Sequence, residues 1–338
     1  MTDTLPPVSG LPAGWTARVP GADDVAALAQ LVEAHQRLAR GDASVDEEAV
    51  ASSVTGIGSW TRRQLVLDGP DGAICAWAWV HDRAAGRTVV DVTVAPDCAQ
   101  GDQLAGVLLQ WAQGAGCELA RLRELPETQL DASAYVGDER QQRWLTQAGY
   151  RKTRTWLHMS RPVVEADAGL PDRPAVYVRR VAKHDDGLPV ALDLQVVHQM
   201  LEESFADHFN SYRESFPEFV QRLREDPGHR WDHWWIAEIE VDGELRPGGA
   251  LVSSVLSADD DGREGSYVDY IGVHRNARGR GVAKALLHTV IRDCLDHGGN
   301  RVDLEVDADS TTGADGLYLS MGWATKYRTE SWHATAEA

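Results

Sequence analysis

The sequence predicts an α/β protein, in the mixed-sheet α+β sense, built from two similar domains in tandem. Three observations carry this. Helix and strand signals run through the chain twice in the same order. Short segments recur at similar distances: Ala99-Gln100-Gly101 returns 178 residues later as Ala277-Arg278-Gly279, and Gly149-Tyr150 returns 173 residues later as Gly322-Trp323. Such spacing, near half of the 338-residue chain, marks an internal repeat. Between the two blocks, residues 162–174 carry Pro162, Pro171 and Pro174 and cannot form a helix of useful length. The expected organisation is a first domain over 1–161, a linker over 162–174 and a second domain over 175–338, in line with ~150 residues per domain.

In the first block, Asp23 and Asp24 open an amphipathic helix that runs to Arg40. Alternating β-branched and aromatic residues predict strands at Arg63–Leu67 and Ile74–Val80, joined by the turn Gly69-Pro70-Asp71-Gly72. A third strand covers Thr88–Val94, followed by helices at Asp102–Gly114 and Asp138–Ala148 and a strand at Thr153–Met159. The second block repeats the plan, with helices at Leu192–Phe205 and Ser215–Arg224 and strands at Trp234–Val241, Ala250–Leu256 and Ser266–Val273. A helix at Val282–His297, a strand at Arg301–Val306, a helix at Gly313–Ser320 and a final strand complete it.

Composition excludes several classes. Hydrophobic residues at 43% and charged residues at 25% describe an ordinary globular chain rather than a disordered one. No stretch approaches the ~18 apolar residues that span a bilayer. The opening MTDTLPPVSG has neither a basic nor an apolar region of the secretory kind. Cys75, Cys98, Cys117 and Cys294 lie far apart, so neither a disulfide framework nor a zinc ribbon is expected, and a reducing cytoplasm is the simplest location. The net charge of −19 repels nucleic acid and anionic membranes and suits a cationic partner such as an amine, as well as serving solubility. The 12 tryptophans should lie mostly in cores or pocket walls. His229 and His233 have helical ligand spacing, but the surrounding run reads as strand, so no metal is expected there.

The chemistry is concentrated in SYVDYIGVHRNARGRGVAKALLHTVI. A strand ends at Val273, a basic glycine-containing loop covers Arg275–Gly281, and a helix begins at Val282. A strand, a glycine loop and a helix N-terminus together make an anion site, because free backbone N–H groups and the helix dipole both point at the ligand. Gly279 and Gly281 let the backbone approach closely, and Arg278 and Arg280 add positive charge in an acidic chain. No GxGxxG and no Gly-Lys-Ser/Thr is present.

Arg278-Gly279-Arg280-Gly281-Val282-Ala283 matches the Q/R-x-x-G-x-G/A pattern, and forty residues later Leu317-Tyr318-Leu319-Ser320-Met321-Gly322-Trp323 matches an L-Y-x-x-x-G-F ending. Over about residues 175–335 the chain thus resembles the GNAT superfamily of acetyl-CoA-dependent N-acetyltransferases. Its two-block layout is similar to that of tandem members such as mycothiol synthase. The resemblance implies that residues 278–283 hold the pyrophosphate of acetyl-CoA. It also implies that the pantetheine arm lies between the strand ending at Val273 and the strand Arg301–Val306. A bulge near Ile271, Gly272 and Val273 would free an N–H for the thioester carbonyl. It casts Tyr318 as the acid that protonates the leaving thiolate. Ser310 stands where relatives carry an asparagine that helps to hold the cofactor. Asp269, two residues before Ile271 on what alternation makes the same face, is the favoured base, with Glu305 next. Glu203, Asp207 and His208 fall where the family places acceptor-binding loops.

The first block has lost this chemistry. Its loop reads Gln100-Gly101-Asp102-Gln103-Leu104-Ala105, with Gln103 in place of a glycine and Asp102 adding negative charge, and Leu145 occupies the position of Tyr318. The expected function is acetyl transfer from acetyl-CoA to a primary amine of a small molecule, performed by the second domain as monomer or homodimer without a metal. A non-catalytic acyl-CoA sensor is the alternative.

Overall fold

The computed structural model describes residues 8–83, 86–206, 214–309 and 313–338. They form two compact units. Unit 1 comprises Met1–Leu157, Asp307–Asp309 and Tyr327–Ala338, and unit 2 comprises His158–Val306 and Ser310–Lys326.

In unit 1, β1 (Thr16–Arg18), β2 (Arg62–Asp68), β3 (Ile74–Arg83) and β4 (Arg87–Val94) pair antiparallel in succession. β4 then pairs parallel with β5 (Glu127–Tyr135), because α3 (Gly101–Leu122) provides the crossover that parallel strands need. Around this sheet lie α1 (Val25–Arg40), α2 (Glu47–Val54) and α4 (Glu139–Gln147). Asp46 caps α2 and Asp138 caps α4, each side chain accepting two backbone N–H bonds. Leu104, Leu108, Trp111 and Ala115 line one face of α3 at helical spacing and pack on Leu65, Val80, Val92 and Leu130.

Unit 2 starts within β6 (Arg151–Pro162) and continues with β7 (Val176–Arg180), α5 (Ala191–Phe205) and α6 (Phe216–Arg224). β8 (His229–Val241), β9 (Glu244–Leu256) and β10 (Gly265–Val273) extend an antiparallel ladder from β7, and β11 (Arg301–Asp307) joins β10 in parallel after α7 (Val282–Asp296). α8 (Ala314–Ser320) follows. α5 and α6 cover one face with Leu194, Val197, Leu201 and Phe219 against Trp234, Ile236 and Val252.

The units depart from the blocks expected from sequence at the last strand. β12 (Ala324–Glu337) starts in unit 2, but its residues 329–337 pair antiparallel with β5 in unit 1. Trp332 and Ala336 enter the unit 1 core, so the chain's final strand covers the edge that β5 would otherwise expose. The stretch read as a linker is also ordered in part: Asp167 is buried and accepts from both guanidinium nitrogens of Arg161 at 2.6 and 3.0 Å. β1, α2, β5 and β7 carry no expectation above. β1 and β7 are too short for a period to show, and β5 lies between Pro126 and Gly137, with a charged start that masks its alternation. Trp77, Trp111, Trp144, Trp234, Trp235, Trp323 and Trp332 are buried as expected, whereas Trp60 is 76% exposed. No helix among the described residues is long and apolar enough to cross a membrane.

Candidate functional site

The glycine loop has the geometry an anion requires. His274 follows β10 and caps a single 3-10 turn, its Nδ1 accepting from the N–H of Asn276 at 3.3 Å. Gly279 and Gly281 then adopt φ of +77° and +84°, the left-handed region in which a Cβ would be strained. Gly281 is the N-cap of α7, and its carbonyl receives the N–H of Ala285 at 3.0 Å. The amides of Val282, Ala283 and Lys284 precede that bond and face out of the helix end. A Cβ built on Gly279 meets nothing within 4 Å, so the space above the loop is open. Arg278 and Arg280 are exposed beside it, and Arg280 donates to the carbonyl of Glu240 at 3.1 Å. The loop therefore supplies aligned donors, positive charge and room for a phosphate group.

Beside the loop the sheet splits. β10 pairs with β11 only from Ser266 to Val268, opposite Val302 to Leu304, whereas its pairing with β9 continues to Val273. Past Val268 one row of β10 backbone groups has no partner strand among the described residues. A bulge sits at the same point: Val268 opposes Ser253 and Tyr270 opposes Val252, leaving Asp269 as the extra residue. This corrects two expectations. The bulge lies at Asp269, before Ile271–Val273, and it breaks the alternation that would have aligned Asp269 with Ile271. Asp269 instead shares the face of Tyr267 and Tyr270, toward α5 and α6, where the Arg222 guanidinium lies 5.2 Å from the Tyr270 ring.

The surroundings of Asp269 change its chemistry. Burial, with a smaller contribution from the charge of Asp226, pushes its carboxyl up to about 8. The Ser254 hydroxyl, donating at 3.4 Å, and the charge of Arg222 act in the opposite sense. A carboxyl poised near neutrality suits proton transfer. Glu305, the second candidate base, faces His158 with 3.2 Å between carboxylate and Nε2, and a third of its side chain is exposed.

Tyr318 is buried on α8, its ring edge-on to Trp323 with centroids 5.9 Å apart. Burial pushes its phenol up to about 12, so it stays protonated across the physiological range. Among the described residues no hydrogen bond to its hydroxyl is present, so that group remains available as a donor. Glu203 lies on α5 and contacts His274 Nε2 at 3.0 Å, which ties the end of α5 to the glycine loop. Gly272 shows how close the two elements come: a Cβ there would meet Ser204 at 2.9 Å and Leu201 at 3.0 Å. Gly272→Ala is expected to cost ~1–3 kcal/mol through overpacking, readable as a lower urea midpoint with an unchanged slope. Asp207, His208 and Ser310 lie outside the described residues. The contacts of Ser254, Arg222 and Asp226 with the Asp269 region were not expected from sequence, since strand register and helix docking create them. The capping role of His274 was signalled only by a polar triplet after the strand.

Residues 197–323, which contain the loop, the split strands and Tyr318, match the model of the acetyltransferase (GNAT) family. An acetyltransferase of Pectobacterium atrosepticum is 30% identical over 105 residues, 31% of this chain and 64% of that protein. Over these residues the chain is similar to the GNAT acetyltransferases. The match to the Pectobacterium protein stops short of two thirds of that relative's length. A GCN5-related N-acetyltransferase from Sphaerobacter thermophilus is 25% identical with a TM-score of 0.76, covering 97% of this chain and 98% of its own. A tandem GNAT protein from the clavulanic acid biosynthesis pathway shares the fold at a TM-score of 0.64 and 15% identity, over 96% and 99% of the two chains. These likenesses put the tandem GNAT layout on structural grounds.

Within unit 1 the corresponding GNAT features are closed. Trp323 N–H binds the carbonyl of Tyr318 at 3.1 Å, and Tyr150 N–H binds that of Leu145 at 2.9 Å, so Leu145 occupies the equivalent turn of α4. β4 and β5 separate after Val90 as β10 and β11 do after Val268, but no bulge interrupts the β3–β4 register. A cavity of only about 10 Å³ remains there, lined by Val90, Ala132, Trp144 and Leu145. At the start of α3, where a phosphate would sit, Asp102 instead accepts from the Trp144 indole at 2.6 Å and from Arg143 at 2.8 Å.

Proposed function

We propose that unit 2 transfers an acetyl group from acetyl-CoA to a primary amine of a small molecule. The observation that carries this reading is the left-handed Gly279/Gly281 loop at the head of α7, beside the point where β10 and β11 part. In this reading the amides of residues 281–284, with Arg278 and Arg280, hold the pyrophosphate. Ile271, Gly272 and Val273 line the groove for the pantetheine arm, and backbone N–H groups at the Asp269 bulge stabilise negative charge on the thioester oxygen. Asp269 takes a proton from the incoming ammonium, directly or through water. The amine nitrogen then bonds to the acetyl carbon, the carbon–sulfur bond breaks, Tyr318 delivers its proton to the departing sulfur, and the second proton shed by the nitrogen, relayed through water, restores the phenol. Glu203, Asp207 and His208 contribute to the acceptor side. The four free cysteines are compatible with a cytoplasmic setting.

The test is release of free thiol from acetyl-CoA in the presence of a panel of amines. Thiol release with at least one amine and product of the acetylated mass supports the reading, and acetyl-CoA binding without turnover of any amine rejects it in favour of a sensor. For an acceptor that arrives as an ammonium ion, kcat/KM should rise with pH through a group near 8, as Asp269 loses its own proton and becomes able to take one from the substrate. Asp269→Asn should remove that limb and leave acetyl-CoA binding intact. The same shift has a stability consequence. Because the folded state holds this proton above the ordinary carboxylate range, the stabilisation it brings is complete below about pH 4 and is lost as pH rises to about 8. The melting temperature of Asp269→Asn should therefore overtake that of the wild type as pH increases through this range.

A further inference from the structure

A second cluster of ligating side chains lies at the opposite end of α7 from the glycine loop. His233 on β8, Asp293 in the last turn of α7 and His297, which caps that helix, bring one ligand atom each to within 4.8 Å of one another. His233 and Asp293 are 6% and 4% exposed, while His297 is open to solvent. A buried carboxylate needs compensation on both oxygens. Asp293 Oδ1 accepts from the Arg180 guanidinium. Its Oδ2 is buried without a hydrogen-bond partner and lies 3.7 Å from His233 Nε2, too far for a hydrogen bond. The Nδ1 of His233 is also buried and unpartnered. The structure therefore encloses an unsatisfied acceptor and an unsatisfied imidazole side by side, which proteins rarely tolerate without a further group.

We propose that His233, Asp293 and His297 bind a divalent transition-metal ion of the zinc class. Two nitrogens and one carboxylate oxygen are a donor set that such ions favour over calcium or magnesium. The surroundings support this. His297 Nδ1 bonds the carbonyl of Asp293 at 2.8 Å and stands 3.7 Å from Asp293 Oδ1, which leaves Nε2 as the nitrogen for a metal, the arrangement that second-shell carbonyls impose on metal-bound histidines. Arg180 holds the other carboxylate oxygen in the same way. The carbonyl end of α7 carries partial negative charge and attracts a cation. Ligand atoms around zinc stand roughly 3.3–3.5 Å apart, so metal binding requires the exposed His297 to close in on the other two, with a position left for water. The histidine spacing that argued against a metal concerned His229 and His233, which an irregularity in β8 places on opposite faces of the sheet. The ligands proposed here come from β8 and from a helix end some sixty residues later.

The test uses the full chain without an affinity tag, stripped with a chelator and titrated with zinc against a chromogenic competitor. The wild type should take up one equivalent, and cobalt in its place should give the visible absorption of a nitrogen- and oxygen-bound ion. His297→Ala, at an exposed position that leaves the core untouched, should weaken zinc binding at least ~10-fold. His184→Ala, on an exposed loop, should bind as the wild type does. His233→Gln should behave like His297→Ala, with circular dichroism confirming its fold. No stoichiometric uptake, or equal uptake by wild type and His297→Ala, overturns the proposal. Because the readout is metal binding, it is independent of acetyl transfer.

Discussion

Tyr318→Phe should lower kcat by ~10²–10⁴-fold while changing acetyl-CoA affinity by no more than a few-fold. The change removes one oxygen from a buried ring. That ring packs edge-on against Trp323, and a phenylalanine keeps the contact. Since the hydroxyl makes no hydrogen bond among the described residues, its loss leaves no orphaned partner, and the thermal midpoint should move little. The raised pKa has a mechanistic reading as well. A phenol near 12 is always protonated at neutral pH, so it is ready to donate when a thiolate forms beside it. A variant with unchanged turnover would show that Tyr318 only fills space between α8 and the turn at Gly322.

Gly281→Asp should abolish measurable acetyl-CoA binding in calorimetry. A carboxylate at the N-cap of α7 occupies the place of the phosphate and repels it, by about 1–4 kcal/mol for each charge pair at ~4 Å. That range corresponds to roughly five- to a thousand-fold in affinity per pair. The fold should survive at a cost of ~1–2 kcal/mol for a side chain at the left-handed φ of +84°, because the nearest side chain to a Cβ at this position is Arg173 at 3.7 Å. The informative control is Gln103→Asp, at the matching position of the first repeat. Gln103 is exposed, bonds the carbonyl of Gly10 and follows a helix start already occupied by Asp102. Binding should be unchanged there. Equal loss in both variants would mean that unit 1 also holds the cofactor, against the filled cleft around Trp144.

The comparison of the two repeats shows what can be read from residue types alone. Asp102 at the position of Arg280, Gln103 at that of Gly281 and Leu145 at that of Tyr318 already announce that the first block lacks the anion loop and the acid. The structure adds how the vacated space is used: the Asp102 carboxylate stands in for the missing anion and anchors Trp144 and Arg143 across the cleft. No local pattern could announce this, because residues 102 and 144 meet only after α3 and α4 dock.

The sequence by itself determined the helices, most strands, the repeat and the glycine loop. All of these follow from short-range causes: the periods of 3.6 and 2, helix capping and the left-handed backbone that Gly279 and Gly281 permit. Tertiary structure alone decided three things. The bulge at Asp269 depends on register with β9, and one skipped residue reverses which face a side chain takes, so alternation misled the reading of that strand. The destination of β12 depends on which sheet edge is left uncovered, a property of unit 1 rather than of the strand's own residues. The His233–Asp293–His297 cluster depends on α7 lying against β8. Each is a pairing between distant segments, and such pairings are settled by burial and hydrogen-bond satisfaction across the whole unit rather than by any window of the chain.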